Sequence, residues 1–206
     1  GAGLPFIALV CGEPECATLD FIVDAPGAAG REAKNQAYSP TAGQPTLKKA
    51  IAKKTRRDSG VSMRPAQVLF AKGGKQAVFQ AVAAIVNDGD EVLLPAPYWT
   101  TYPEAVALAG GKTVSVLADD SQDYLVTVAQ LEDARSEKTK ALILCSPSTP
   151  TGAVYTKAQI AEIGRWALEH GIWVIADEIY EHMVYGVDSA SILRMVPELA
   201  DHCIVV

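Results

Sequence analysis

From residue 66 onward, short apolar runs alternate with longer stretches whose apolar positions recur every three or four residues. The runs are 67–71 (QVLFA), 91–94 (EVLL), 113–117 (TVSVL), 141–145 (ALILC), 172–176 (IWVIA) and 203–206 (CIVV). Several are apolar throughout, as strands covered on both faces are. Between them, 76–86 (QAVFQAVAAIV) reads as a helix stopped by Asn87-Asp88-Gly89-Asp90. The clearest helix is 157–169. Thr156 can cap it, Gln159 completes a capping box, Ile160, Ile163 and Ala167 share a face, and Gly171 follows its end. This alternation predicts an α/β fold with a mostly parallel sheet.

Upstream, 44–60 is a further amphipathic helix with Leu47, Ala50 and Ile51 on one face. Its Lys48, Lys49, Lys53, Lys54, Arg56 and Arg57 read as a solvated basic face, since the apolar stripe alone explains the helix. Residues 1–44 are less periodic. They read as a lead-in, with turns at 12–15 (GEPE) and 25–30 (APGAAG), to a domain spanning 45–206. The first residue is Gly and the last stretch, HCIVV, reads as a buried strand, so the chain is expected to be part of a longer protein.

Composition narrows the function classes. With 49% hydrophobic and 20% charged residues in 206, the profile is that of a globular domain. A formal charge of -6 disfavours nucleic acid as partner. The longest apolar runs are strand-sized, and no membrane span or secretory signal is read. The four cysteines form no CxxC pair, and three sit in apolar surroundings, which points to reduced thiols and a cytoplasmic setting. His170, His182 and His202 are scattered without ligand spacing, so no metal site is expected.

Four loops after strand-like runs carry candidate chemistry. GGKT at 110–113 mimics the tail of a phosphate-binding P-loop, but Val106 stands where another Gly is needed and a strand follows the Lys. No GxGxxG marks a dinucleotide site. Gly73 and Gly74, by contrast, lie between a strand-like run and the first turn of a helix. There the free N–H groups of Gly74, Lys75 and Gln76 suit a phosphate, although a plain turn also uses such glycines. The stretch 95–103 (PAPYWTTYP) supplies core filling or a wall for a planar ring. The stretch 145–152 (CSPSTPTG) is a rigid polar loop. Finally Asp177 ends the run IWVIA, where a buried carboxylate needs a partner. Ligands of open α/β sheets collect at the carboxyl ends of strands, where all four loops are expected to meet.

The order of these motifs resembles the class I aminotransferases of pyridoxal-phosphate fold type I, most of all bacterial aspartate aminotransferases. The resemblance rests on GEPE (12–15), YSPTAGQPTLKKAI (38–51), GGKQAVFQA (73–81), GDEVLLPAPYWTTYPE (89–104), SPSTPTGAVY (146–155) and DEIYEHMVYG (177–186). It implies a three-layer α/β/α large domain that binds pyridoxal 5′-phosphate and belongs to a homodimer. By resemblance, Gly73, Gly74 and Lys75 hold the phosphate and Trp99 stacks on the ring. Asp177 pairs with the protonated ring nitrogen, and Tyr180 bonds the ring's phenolic oxygen. Gly12 lies against the substrate carboxylate, and Tyr38 reaches the phosphate of the neighbouring subunit. Glu178 and Glu181 read as ordinary surface acids.

Two departures qualify the resemblance. Where the family has Asn before Pro-Thr-Gly, touching cofactor and substrate carboxylate, this chain has Thr149, a shorter side chain with one donor. No lysine here matches the family's Schiff-base lysine. Lys75 belongs to the phosphate loop, and Lys72 and Lys112 read as solvated. The implied activity is transfer of an amino group between an amino acid, aspartate or alternatively an aromatic amino acid or prephenate, and a 2-oxo acid. The 206 residues alone are expected to be inactive. A non-catalytic binding or structural protein of the same fold is the competing reading, separated from the first by whether a Ser-Lys follows in the encoded sequence.

Overall fold

A computed structural model describes residue 12 and residues 16–206. The elements in chain order are α1 (Asp20–Gly30), α2 (Pro45–Ser59), α3 (Gly74–Ile85), β1 (Glu91–Ala96), α4 (Thr101–Leu108), β2 (Lys112–Leu117), α5 (Val128–Ala134), β3 (Thr139–Cys145), α6 (Lys157–Glu169), β4 (Trp173–Asp177), α7 (Ile192–Met195) and β5 (Cys203–Val205). The five strands form one sheet in the order β2-β1-β3-β4-β5, and every pairing is parallel.

Alternation along the strands sorts the core into two halves. Leu93, Leu142, Leu144, Val174 and Ala176 face one side, with Leu131, Ile160, Ile163, Trp166 and Leu199 packed over them. Val92, Leu94, Ala141, Ile143 and Ile175 face the other, under Val78, Val82, Tyr102 and Val106 of α3 and α4. Both faces are thus covered by helices, which explains why the central strands are continuously apolar through their middles, at 92–94, 141–144 and 174–176. This is the expected α/β fold with a parallel sheet.

Helix α6 has the expected bounds, with Thr156 Oγ1 accepting from Gln159 N and Gln159 reaching back to Thr156 N. Gly171 follows at φ 64°, a left-handed conformation that favours Gly. Helix α3 starts two residues before the expected 76 and buries Val78, Ala81 and Val82 at helical spacing. Lys112 and Thr113 open β2, so the GGKT stretch has no helix to make it a phosphate loop.

Three expectations need correction. The run 67–71 is no strand: after a 3-10 turn at Pro65–Gln67 it pairs with no strand of the sheet, and Phe70 N bonds Ala42 O at 3.2 Å instead. Both edges of β1 are taken by β2 and β3, and Leu69 and Phe70 remain exposed. The turn expected at 25–30 lies inside α1, which carries Pro26 within it and buries no residue. On α2 the buried positions are Ala52 and Ser59, while Leu47 and Ala50 are exposed, so the apolar stripe is not its packing face. Of the turn expected at 12–15, residues 13–15 lie outside the described residues.

Candidate functional site

Strand order places a switch point between β1 and β3: the chain runs from β1 outward to β2, then returns to add β3, β4 and β5 on the other side. Such a reversal opens a crevice at the carboxyl ends of the strands. The loop after β1 carries Trp99 to its rim, and the loop after β3 carries Thr149. Asp177 is the last residue of β4, in register with Cys145 at the end of β3.

Asp177 is 5% exposed. Its Oδ2 accepts the Tyr102 hydroxyl at 2.7 Å, and its Oδ1 accepts Ile179 N at 3.2 Å. No cation pairs with it among the described residues. Burial, then the nearby Cys145 and Asp177, push the Tyr102 phenol far above its ordinary range, so it stays a neutral donor. Burial also raises the Cys145 thiol to about 11, with the Asp177 charge adding to the effect. The thiol donates to Pro147 O at 3.3 Å. Tyr102, Cys145 and Ile179 are the three site neighbours that sequence reasoning missed. Tyr102 lay in the aromatic stretch, but its partner is 75 positions away and only strand order unites them.

From Asp177 a chain of contacts leads to the glycine loop. Tyr102 meets Trp99 edge-on, centroids 5.5 Å apart at 87°. The Lys75 ammonium sits over the Trp99 ring, 5.4 Å from its centroid, a cation–π arrangement. Next to Lys75, a Cβ built on Gly74 would touch Ile179 Cδ1 at 3.8 Å, and Ile179 N returns to Asp177. The end of β4, the loop after β1 and the start of α3 are therefore neighbours, and the Trp99 ring is already engaged by Lys75.

The glycine loop has the shape of an anion cradle. Gly73 caps α3 at φ 91° and ψ 166°, a conformation that L side chains rarely adopt, and nothing lies within 4 Å of where its Cβ would be. No side chain caps the helix there. The Gln76 side chain turns back to Lys72 N, leaving the first-turn N–H groups directed outward. An open groove of about 700 Å³ between α3 and α4 continues from this point, lined by Lys72, Lys75, Phe79 and Glu104 among others.

The remaining expected residues are placed less centrally. Thr149 is half-buried and shares a cavity of about 20 Å³ with Tyr102, Cys145 and Tyr155. The Tyr180 hydroxyl donates to Gly12 O at 3.5 Å, and a Cβ on Gly12 would fall 2.6 Å from that hydroxyl oxygen, so a larger residue there would displace the tyrosine tip. Tyr38 is fully exposed. Glu178 and Glu181 are not ordinary surface acids. Burial pushes the Glu178 carboxyl up, and it accepts Ile192 N at 3.0 Å. Glu181 pairs with Lys54 of α2. Asp58, Glu181 and His182 bring three metal-capable donors together, but the Lys54 ammonium already engages both carboxylates.

A group with an anionic phosphate, a flat ring and a protonated ring nitrogen fits this donor set. The cradle offers N–H groups, the wall an aromatic face, and the acid an accept-only carboxylate lacking a cation. Comparisons with known proteins place the chain in a family. The family model described as aminotransferase class I and II matches residues 5–206. An aspartate aminotransferase of Streptomyces avermitilis is 57% identical over 206 residues, covering 100% of this chain and 50% of its own length. A probable aspartate aminotransferase of Streptomyces griseus is 55% identical over 86% of this chain and 83% of its own length. Among solved structures, Thermus thermophilus aspartate aminotransferase with maleate is 38% identical with a TM-score of 0.89, covering 96% of this chain and 50% of that one. The chain thus spans about half the length of the Streptomyces avermitilis relative and of the Thermus structure. It belongs to the class I and II aminotransferase family.

Proposed function

We propose that these residues form the cofactor grip of an aspartate aminotransferase, which moves an amino group between an amino acid and a 2-oxo acid. The single observation carrying this reading is the run of contacts from Ile179 through Asp177, Tyr102 and Trp99 to Lys75 at the switch point. The family depends on pyridoxal 5′-phosphate. When bound, that cofactor supplies an electron-withdrawing ring that makes a substrate Cα–H acidic.

The resemblance assigns roles to the chain's own residues, and their placement supports several of them. Gly73, Gly74 and Lys75 offer backbone N–H groups to the phosphate, with the α3 N-terminus adding its positive dipole end. Asp177 holds a proton at the ring nitrogen, since a buried carboxylate and a pyridinium each reduce the cost of burying the other. Trp99 would wall the cofactor ring from water. Tyr180 bonds the ring's phenolic oxygen, and Gly12 beside it leaves room for a substrate carboxylate. Thr149 offers one hydroxyl at the mouth, a weaker hold than an amide gives. Tyr38, exposed on its loop, serves the phosphate of a second copy in a homodimer.

The aspartate assignment is supported by the 57% identical relative, and a four-carbon dicarboxylate sits with the Thermus enzyme. No lysine among these 206 residues matches the family's cofactor-linking lysine, so we assign this chain the grip and not the transfer. The test is to offer pyridoxal 5′-phosphate to the protein, reduce with borohydride and map the product, alongside assay with a panel of amino donors and 2-oxo acids. Reversible binding without turnover is expected. A reduced adduct at one specific lysine, with turnover, contradicts the division. Failure to bind at all contradicts the cofactor grip.

A further inference from the structure

We propose that Tyr102 is a positioning residue for the ring nitrogen of the cofactor: its hydroxyl fixes the carboxylate of Asp177, and through it the strength of the ring's protonated pairing. The inference rests on the cofactor reading above and adds to it a residue that makes no contact with the cofactor itself.

Tyr102 is 1% exposed, and its hydroxyl reaches Asp177 Oδ2 at 2.7 Å. An O–H donating to a carboxylate at that distance is a charge-assisted bond, stronger than a neutral one. Ile179 N occupies the other oxygen. With one donor on each oxygen the carboxylate can neither rotate nor withdraw, and its remaining lone pairs are the ones free to meet a ring N–H. The same tyrosine packs on Trp99 three residues earlier, at the start of α4. One side chain in the first turn of α4 therefore aligns the wall and the acid together, although wall and acid come from different strand ends. A residue that only filled the core would need the ring and not the hydroxyl.

The experiment separates hydroxyl from ring. Pyridoxamine 5′-phosphate, which has no aldehyde to react with lysines, and its analogue with C–H in place of the ring nitrogen are titrated calorimetrically into the protein and into Tyr102→Phe. Loss of one hydrogen bond to a charged group is expected to weaken pyridoxamine 5′-phosphate about tenfold. The ring-carbon analogue, which has no N–H for Asp177, is expected to bind the variant and the unaltered protein equally. Equal weakening of both ligands, or of neither, overturns the positioning role while leaving the cofactor reading intact. If the unaltered protein binds neither ligand, the cofactor reading itself falls. A second measurement avoids the variant altogether. With ζ-13C tyrosine in the unaltered protein, the Tyr102 resonance is expected to shift on adding pyridoxamine 5′-phosphate and to stay in place with the analogue. An identical response to both ligands overturns the proposal.

Discussion

At the scale of single residues, the site is held by groups whose chemistry follows from burial. Asp177 was legible from the sequence because a carboxylate ends an otherwise apolar strand. Tyr102 was not, because nothing in the chain near it announces that β4 will end beside α4. Replacing Asp177 by Ala would leave the buried Tyr102 hydroxyl without its acceptor, and a cost of about 1–3 kcal/mol is expected in denaturant unfolding. The cysteines give a second check. Burial raises the Cys145 thiol to about 11 and, with Glu178 adding to it, the Cys203 thiol to about 12, so both remain protonated at pH 8. Since the thiolate is the nucleophile, alkylation at pH 8 followed by mass spectrometry is expected to label exposed Cys16 and spare these two. Rapid labelling of Cys145 would contradict its burial beside Asp177. At Gly73, substitution by Ala places a side chain at φ 91°, with a strain of about 1–2 kcal/mol expected in unfolding experiments.

The elements were legible where pattern and caps agreed, as in α6, and misread where pairing decided. Residues 67–71 have the composition of a strand, yet strandhood needs a free edge, and β1 has none to offer. In α1, Pro26 and Gly27 look like a turn, yet the helix continues through them. Contacts between elements make two further tests. A Cβ on Gly164 of α6 would fall 2.8 Å from Val196 Cγ2 and 3.3 Å from Ile192 Cγ1. Gly164→Ala is therefore expected to lower stability by about 1–3 kcal/mol through overpacking, although Ala is the better helix former. Glu132 ties α5 to α6, accepting Trp166 Nε1 at 2.8 Å and pairing with Arg135 and His170. Its bond to Arg135, then that to Trp166, holds its carboxyl down to about 2. A lowered folded value means that the contribution is full above the unfolded carboxyl range near pH 4 and fades as pH falls toward 2. Thermal unfolding of the protein and Glu132→Gln should accordingly differ most at pH 5 and above, and converge on acidification.

For the whole molecule, the parallel order β2-β1-β3-β4-β5 is what turns separate motifs into a site. The sequence motifs named the cradle, the wall and the acid, and the switch point between β1 and β3 explains why they converge. What the motifs could not name was the joinery between them, Tyr102, Ile179 and Cys145, because those contacts exist only once distant strand ends lie side by side. The proposed grip on a phosphate-bearing pyridine runs through Asp177. Calorimetric titration of pyridoxamine 5′-phosphate into the protein and into Asp177→Asn, which keeps the acceptor for Tyr102 but removes the charge, isolates that carboxylate. Saturable one-to-one binding that weakens about tenfold or more in the variant is expected. Equal affinity in the two proteins, or no binding to the unaltered one, would overturn the proposed grip.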